Sequence, residues 1–453
     1  MTCNWPEISL ADIYDIRSGL SKPASAFGSG FPFLSFKEVF GNYFVPEELS
    51  QLVESSEKER ANGSIKRGDV FLTRTSETMH ELGMSSVALK DYKNATFNGF
   101  TKRLRPKEGT PHEVHPEFVG YYFRSPRFRT NMLAFSTLST RASLNNDMIT
   151  RLTLPLPPID IQKKIAKILK CLDDKVSVNS KMNQTLEEMA QAIFKSWFVD
   201  FDPVKAKMNG QLPEGMDEAT ASLFPEKLVE SELGLVPVGW DVEPLDSIFS
   251  VNKGLSYKGK FLSQDKSDVP LINLGNFGGN GKFRYEKVKY YSGDYKPRHV
   301  VKAGQLVIAN TDMTQDRVIL GSAILVPELG GEEYLTTHHT FSTSFKKQYP
   351  EDVWKYFVFY SLQRPSFRFR AEGFATGTTV LAMPKDAFTF CTVALPPVAL
   401  VEKFSALVQS LKQKIACNEK ENVELTNLRD ILLPKLLSGE IELGQAQELA
   451  EVE

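Results

Sequence analysis

The sequence predicts an α+β protein: two mixed α/β domains joined by two long antiparallel coiled-coil helices, with an internal pseudo-twofold repeat. Three observations predict it. The two halves repeat at offsets of 235 to 239 residues; each half changes from strand-like to helix-like apolar spacing at a Leu-Pro-Pro sequence; and the segments that follow carry apolar residues three and four apart.

The repeat begins where Trp5, Leu10, Ile13, Gly19, Leu20 and Ser21 match Trp240, Leu245, Ile248, Gly254, Leu255 and Ser256 at offset 235. Lys66, Gly68 and Thr75 then match Lys302, Gly304 and Thr311 at offset 236, each within an apolar run (Val70 to Leu72, Leu306 to Ile308) that reads as a buried strand. From Leu156 and Leu395 onward the halves align without gaps at offset 239, with ten identities in 31 positions: Leu156, Pro157, Pro158, Lys164, Leu172, Lys175, Asn179, Lys181, Asn183 and Leu186 recur in the second half. Pro158 and Pro397 fit the first turn of a helix, where a missing N–H leaves no bond unmade. The central helix carries Ile165, Leu169, Leu172, Val176, Leu186 and Ile193, and the distal helix Phe404, Val408, Leu411, Ile415, Leu425 and Leu432, the spacing of a coiled-coil seam. Each spans about 40 residues, or roughly 60 Å. Asn179 and Asn418 fall midway along the two seams, where antiparallel pairing sets them side by side; they either fix the helix register or face solvent.

Length and composition bound the rest. At roughly 150 residues per domain, 453 residues suggest two or three units. No run of about 18 apolar residues spans a bilayer and no secretory signal opens the chain, so a cytoplasmic protein is expected. Four scattered cysteines (Cys3, Cys171, Cys391, Cys417) support neither a disulfide framework nor a zinc ribbon. The net charge of −2 conceals a mild alternation: +2 over residues 1–155 (19 basic, 17 acidic), −3 over 156–235 (10, 13), +3 over 236–395 (19, 16) and −4 over 396–453 (6, 10). Two slightly basic blocks on acidic connectors are compatible with two polyanion-binding domains.

In this order and duplicated, the Leu-Pro-Pro helices, the segment Leu186 to Asp202 ending in Phe-Val-Asp-Phe-Asp-Pro-Val, Pro237 to Trp240, and Leu432 to Gly439 resemble the specificity subunit of type I restriction-modification enzymes along essentially the whole chain. The resemblance implies target recognition domains at 1–155 and 236–395, a central spacer helix at 156–200, a linker at 201–235, a distal spacer helix at 396–438 and a tail at 439–453. It also implies a split asymmetric site on double-stranded DNA, two methyltransferase subunits docked on the helices, and restriction subunits that translocate and cleave. No cofactor is expected on this chain; S-adenosylmethionine, ATP and Mg would belong to the partners. One departure is that the first half has Leu138, Ser139 and Thr140 where the second has Gly377, Thr378 and Thr379.

Base readout needs hydrogen-bonding side chains on projecting loops, with basic residues nearby for phosphates. In the first domain the candidates are Arg74, Thr75 and Ser76 after the strand from Gly68, then Lys102, Arg103, Arg105 and Lys107, then Ser139 and Arg141. In the second they are Tyr257 and Lys258, then Asn310, Thr311, Thr314 and Arg317, then Thr378 and Thr379. The strand-end loops rank first because they recur in both halves yet differ in sequence. Arg124, Arg127, Arg129, Arg364, Arg368 and Arg370 read as helix-surface charge, with phosphate clamping the alternative.

Enzymatic readings find little support. Phe277, Gly279 and Gly281 mimic a methyltransferase cofactor loop, but an alternating stretch follows rather than a helix, so a hairpin turn is predicted. Gly281-Lys282 continues into Phe283, which excludes a phosphate-binding Walker loop, and His338-His339 lacks a spaced third ligand and reads as a turn. The chain is therefore expected to be a non-catalytic recognition subunit, with a coiled-coil scaffold or an unrecognised modification enzyme as alternatives. If the central helix sets half-site spacing, lengthening it by a few residues should change the spacing in the methylated motif and leave both half-site sequences intact; an unchanged spacing contradicts the ruler.

Overall fold

The structure, a computed structural model, describes residues 5–76, 81–134, 142–313, 318–377, 380–441 and 443–446. The chain divides into two compact units, Met1–Ser180 with Glu419–Glu453, and Lys181–Asn418. Two helices of 40 and 41 residues, central (Ile159–Phe198) and distal (Val398–Ser438), each contribute one half to each unit.

The first unit is built on an antiparallel sheet in the order Tyr14–Ser18, Thr101–Pro106, Val70–Thr73, Ser85–Val87. A smaller sheet pairs Phe27–Leu34 with Gln51–Val53 on one side and, in parallel, with Thr96–Phe97 on the other. Two ribbons complete it, Glu7–Ser9 with Thr153–Pro155 and Thr75–Ser76 with Ala142–Ser143. Helices Pro116–Tyr122 and Pro126–Ala134 pack against the main sheet. The second unit has the same plan. Its main sheet runs Phe249–Lys253, Thr340–Phe345, Leu306–Ala309, Ala323–Leu325; its second sheet, here of five short strands, again holds one parallel pair, Val269–Ile272 with Tyr334–Thr336; its ribbons are Asp241–Pro244 with Thr392–Leu395 and Thr311–Asp312 with Leu381–Ala382. Helices Glu351–Gln363 and Pro365–Gly373 take the matching places.

The recurring residues explain the shared plan. Val70–Thr73 and Leu306–Ala309 are buried at every position because each is an inner strand of its sheet. Each is entered through a glycine at positive φ, Gly68 (89°) and Gly304 (82°), where a side chain would be strained. In the turn before it, Asp69 accepts a hydrogen bond from the Lys66 amide, and Gln305 accepts the equivalent one from Lys302, both at 2.8 Å. Gly19 and Gly254 are required by proximity: a Cβ on Gly19 would lie 2.2 Å from the Asn98 carbonyl oxygen, and one on Gly254 2.4 Å from those of Thr336 and Thr337.

Both cores are closed by helix residues from far along the chain. Leu425, Leu432, Leu433, Leu436 and Leu437 of the distal helix join the first core; Ala190, Phe194, Trp197 and Phe198 of the central helix join the second. In each unit a tyrosine from the helix packed on the sheet anchors this closure. Tyr121 donates its hydroxyl to Asp173 at 2.7 Å, and Asp173 pairs with Arg429 at 2.7 Å, whose guanidinium lies 4.7 Å from the Tyr43 ring centre. Tyr360, at offset 239, donates to Glu187 at 3.2 Å, and Glu187 pairs with Lys412 at 2.6 Å, whose ammonium lies 4.7 Å from the Phe359 ring centre. Burial foremost, and then the neighbouring carboxylate, pushes both tyrosine hydroxyls up, so they stay protonated donors.

Helix partners advance on one strand as they recede on the other, which is antiparallel pairing within each unit: Asp173 with Arg429 and Lys175 with Glu421 in the first, Asn183 with Asn418 and Glu187 with Lys412 in the second. Asn179 and Asn418 are both buried, and their partners differ from the expected mutual pair. Asn179 donates to Glu421 at 2.8 Å and Asn422 at 3.1 Å, whereas Asn418 donates to Asn183 at 2.7 Å. Offset 239 carries 179 to 418 and 183 to 422, so the two bonds are repeats of each other, and the pairing is staggered by one helical turn. Residues 201–235 are folded onto the second unit, with helices Asp202–Met208 and Glu218–Ser222 and a hairpin Leu228–Ser231/Gly234–Pro237 that bury Phe201, Val204, Phe224 and Val236.

Gly19→Ala and Gly254→Ala should each lower stability by about 1–3 kcal/mol in denaturant unfolding, because the added methyl meets backbone oxygens that cannot rotate away. Gly41→Ala, with nothing within 4 Å of the added carbon, serves as a control and should change stability by less than about 0.5 kcal/mol.

Candidate nucleic-acid interface

In each unit the inner strand ends in one residue that steps into a short ribbon: Arg74 before Thr75–Ser76, and Asn310 before Thr311–Asp312. The step is pinned to a neighbouring turn. The Arg74 amide donates to the Phe100 carbonyl at 2.9 Å, and the Asn310 amide to that of His339 at 3.1 Å. The same turn meets the Gly-Leu-Ser loop, since Gly99 N–H bonds Leu20 at 2.9 Å and His338 N–H bonds Leu255 at 2.9 Å. Three segments far apart in sequence thus converge at the same place in each unit: the strand end, the turn and the Gly-Leu-Ser loop.

Side chains at this convergence differ between units. Arg74 is half-buried and its Nε finds no partner among the described residues. Asn310 is buried; its amide donates to the His338 carbonyl at 3.2 Å while its Oδ1 finds no partner among the described residues. The Thr311 hydroxyl lies 2.9 Å from His339 Nδ1, and the His338 and His339 ring centres are 3.9 Å apart. Burial first, then His338 and Lys253, lowers the pKa of His339 below the ordinary imidazole value, which favours its neutral form near pH 7. His338 and His339 occupy a turn, and no group of three or more metal-ligating side chains occurs among the described residues. Tyr257 is half-buried beside His338, and Lys258 is exposed. Thr75 and Ser76 pair with Ser143 and Ala142 in the ribbon. Ser139, Arg141, Thr314, Arg317, Thr378 and Thr379 lie outside the described residues.

The basic cluster on Thr101–Pro106 departs from the expectation of a surface patch, because its charges are engaged inside the fold. Lys102 is buried and donates to the Ser18 hydroxyl at 2.9 Å; burial, and then Arg74, lowers its pKa. Arg103 is buried, reaches the Ser64 carbonyl at 2.5 Å, and is pushed down to about 10 by burial. Arg105 forms a two-pronged bond to fully buried Asp69 at 2.6 and 2.7 Å. Its reason for being there is visible in the repeat: Asp69 needs a counter-charge, whereas neutral Gln305 does the same turn-capping without one. Lys107 donates to the Ala11 carbonyl at 2.5 Å.

Several of the helix arginines are internal clamps as well. Arg124 binds the carbonyls of Val39, Phe40 and Asn42 at the end of helix Phe36–Gly41, and that of Ser85 at 2.7 Å. Gln363 fills the equivalent place and donates to Ala323 at 3.0 Å. Arg368 holds Ser322 and Val318, Arg370 holds Phe390, Arg129 holds Leu82, and Arg127 pairs with Glu7. A run of arginines among aromatics gives no sequence signal that separates such clamps from surface charge. The Phe277 to Phe283 stretch forms a tight turn closed by a Gly278–Lys282 bond at 2.8 Å and followed by a single 3-10 turn, Tyr285–Lys287, and the short strand Lys289–Tyr291, rather than by an α-helix or one continuous strand.

Removing Arg105 leaves Asp69 buried without its counter-charge. Arg105→Met is expected to destabilise the protein by roughly 3–5 kcal/mol by thermal or denaturant unfolding, and Asp69→Gln with Arg105→Met should recover much of that loss, since Gln305 already demonstrates the neutral form.

With this geometry in hand, residues 3–188 match the family described as type I restriction modification DNA specificity domain. The HindI specificity subunit of Haemophilus influenzae is 25% identical over 97% of this chain and 100% of its own length. The MjaIX specificity subunit of Methanocaldococcus jannaschii is 24% identical over 98% of this chain and 94% of its own. Among solved structures, the type I restriction-modification S subunit from M. genitalium has a TM-score of 0.52 at 14% identity, covering 96% of each chain, a likeness of fold. On these matches residues 3–188 are similar to the type I restriction modification DNA specificity domain, and the chain is similar along nearly its whole length to type I restriction enzyme specificity subunits.

Proposed function

We propose that this chain is the DNA sequence-recognition subunit of a type I restriction-modification complex, non-catalytic itself, and that it reads a bipartite asymmetric target. The observation that carries this is one scaffold built twice with different residues at one convergence: Arg74 and Phe100 in the first unit stand where Asn310 and His339 stand in the second. Two readers with equal frames and unequal side chains select two different half-sites. In this proposal methyltransferase subunits dock on the two long helices, restriction subunits join the complex, and S-adenosylmethionine, ATP and Mg act on those partners. The whole operates in the cytoplasm; no helix among the described residues is long and apolar enough to cross a membrane.

The two sheet domains are only modestly basic, and the internal use of Lys102, Arg103 and Arg105 removes these three from phosphate contact. Binding by the isolated chain should therefore be weak and should fall steeply with salt, the partners supplying much of the phosphate neutralisation. The test is co-expression with a type I adenine methyltransferase subunit, followed by mapping of methylated adenines in host DNA. A split asymmetric motif that vanishes without this chain is expected. A stable complex that methylates no defined motif would contradict the proposal and favour a scaffold, and methyl transfer by the purified chain alone would favour an enzyme.

A further inference from the structure

The turn Asn98–Thr101 holds a large apolar side chain in the open. Phe100 is 56% exposed, yet its backbone is fixed on every side: its amide donates to Asn98 Oδ1 at 2.7 Å, its carbonyl accepts from Arg74 at 2.9 Å, Gly99 N–H bonds Leu20 at 2.9 Å, and Thr101 closes the turn onto Asn98 at 3.0 Å. A rigid turn that presents a phenyl ring to solvent gains nothing for its own core. The charges around it favour a polyanion. Arg74, bonded to the turn through its main-chain amide, is half-exposed, and Arg17 is exposed on the adjacent strand Tyr14–Ser18.

The second unit builds the same turn with a different ring. Thr340 closes onto Thr337 through its amide at 2.9 Å and its hydroxyl at 2.8 Å, as Thr101 does onto Asn98, and the place of Phe100 is taken by His339. His339 is half-buried and polar where Phe100 is exposed and apolar. The frame is constant and the ring is what changes.

We infer that this turn is a base-contacting element in each unit, Phe100 making an apolar contact to bases of the first half-site and His339 a polar contact in the second. The inference rests on the recognition function proposed above and adds to it a residue pair outside the strand-end loops. Two contacts suit a phenyl ring: packing against a thymine methyl in the major groove, or wedging between base steps.

The test uses the full chain with its methyltransferase partner, comparing wild type with Phe100→Ala, Phe100→Leu and His339→Ala. The readouts are the methylated motif in host DNA and the affinity for a duplex carrying the wild-type motif. Phe100→Ala is expected to weaken binding roughly tenfold or to relax one base pair, in one half-site only, and His339→Ala to do so in the other half-site. Retained readout in Phe100→Leu marks a contact that any large apolar side chain supplies, and its loss marks one that needs the aromatic ring. Because Phe100 is exposed, its variants should keep the wild-type melting temperature; should Phe100→Ala misfold, Phe100→Leu and Phe100→Gln carry the same comparison. A wild-type motif with Phe100→Ala unchanged in both motif and affinity overturns this inference alone. No motif from the wild-type complex overturns the recognition function and this inference with it.

Discussion

The structure depends on a chain of three groups that occurs once in each unit: a tyrosine hydroxyl, a carboxylate on the central helix and a cation on the distal helix. Tyr121, Asp173 and Arg429 form it in the first unit, and Tyr360, Glu187 and Lys412 in the second. The contact ties the helix packed on each sheet to both long helices at once, and both cores need that tie, because each is closed by leucines or aromatics from the far end of a long helix. Its strength comes from partial burial. Burial by itself would lower the Arg429 pKa, but the Tyr43 hydroxyl and Asp173 outweigh it and hold the guanidinium above its usual range. The acid lies on the central helix and the base on the distal helix in both cases, so the pairing favours one mutual orientation of the helices over the alternatives.

Around that frame, several exchanges between the units leave the local packing intact. Asp69 with Arg105 in one unit is replaced by Gln305 in the other, which accepts the same turn amide, and Arg124 by Gln363, which keeps one bond of the four, that to the edge-strand carbonyl. At the convergence of strand end and turn, the backbone bonds are retained while the side chains change from Arg74 and Phe100 to Asn310 and His339. A frame that tolerates such exchange suits the recognition function proposed above, because specificity would be altered at a few side chains and stability carried elsewhere.

Much of the architecture was legible in the sequence because repetition makes physical constraints visible. Gly19 and Gly254 recur because backbone oxygens leave no room for a Cβ, and Gly68 and Gly304 because of positive φ. The Leu-Pro-Pro signatures mark where strand spacing gives way to helix spacing, and the helices begin at Ile159 and Val398. The site was less legible. Lys102, Arg103 and Arg105 look like a surface patch, but alternation along a strand does not reveal that Ser18, Ser64 and Asp69 wait for them within the fold. The stagger of the asparagine bonds depends on helix rotation, which a midpoint count leaves undetermined. Phe100 carries no signal in the sequence, because an apolar residue reads as core unless the turn beneath it is known. A signal for the tyrosine anchors was present: Tyr121 and Tyr360 recur at offset 239, with acids on one helix and bases on the other.

The most direct test of this frame is a double-mutant cycle on Asp173 and Arg429, read by thermal and denaturant unfolding of the full chain. The account predicts that Asp173→Ala and Arg429→Ala are each strongly destabilising and that the double variant loses less than their sum, with a coupling of about 1 kcal/mol or more. Simple additivity would contradict it, and would mean that apolar packing alone holds the helices in place.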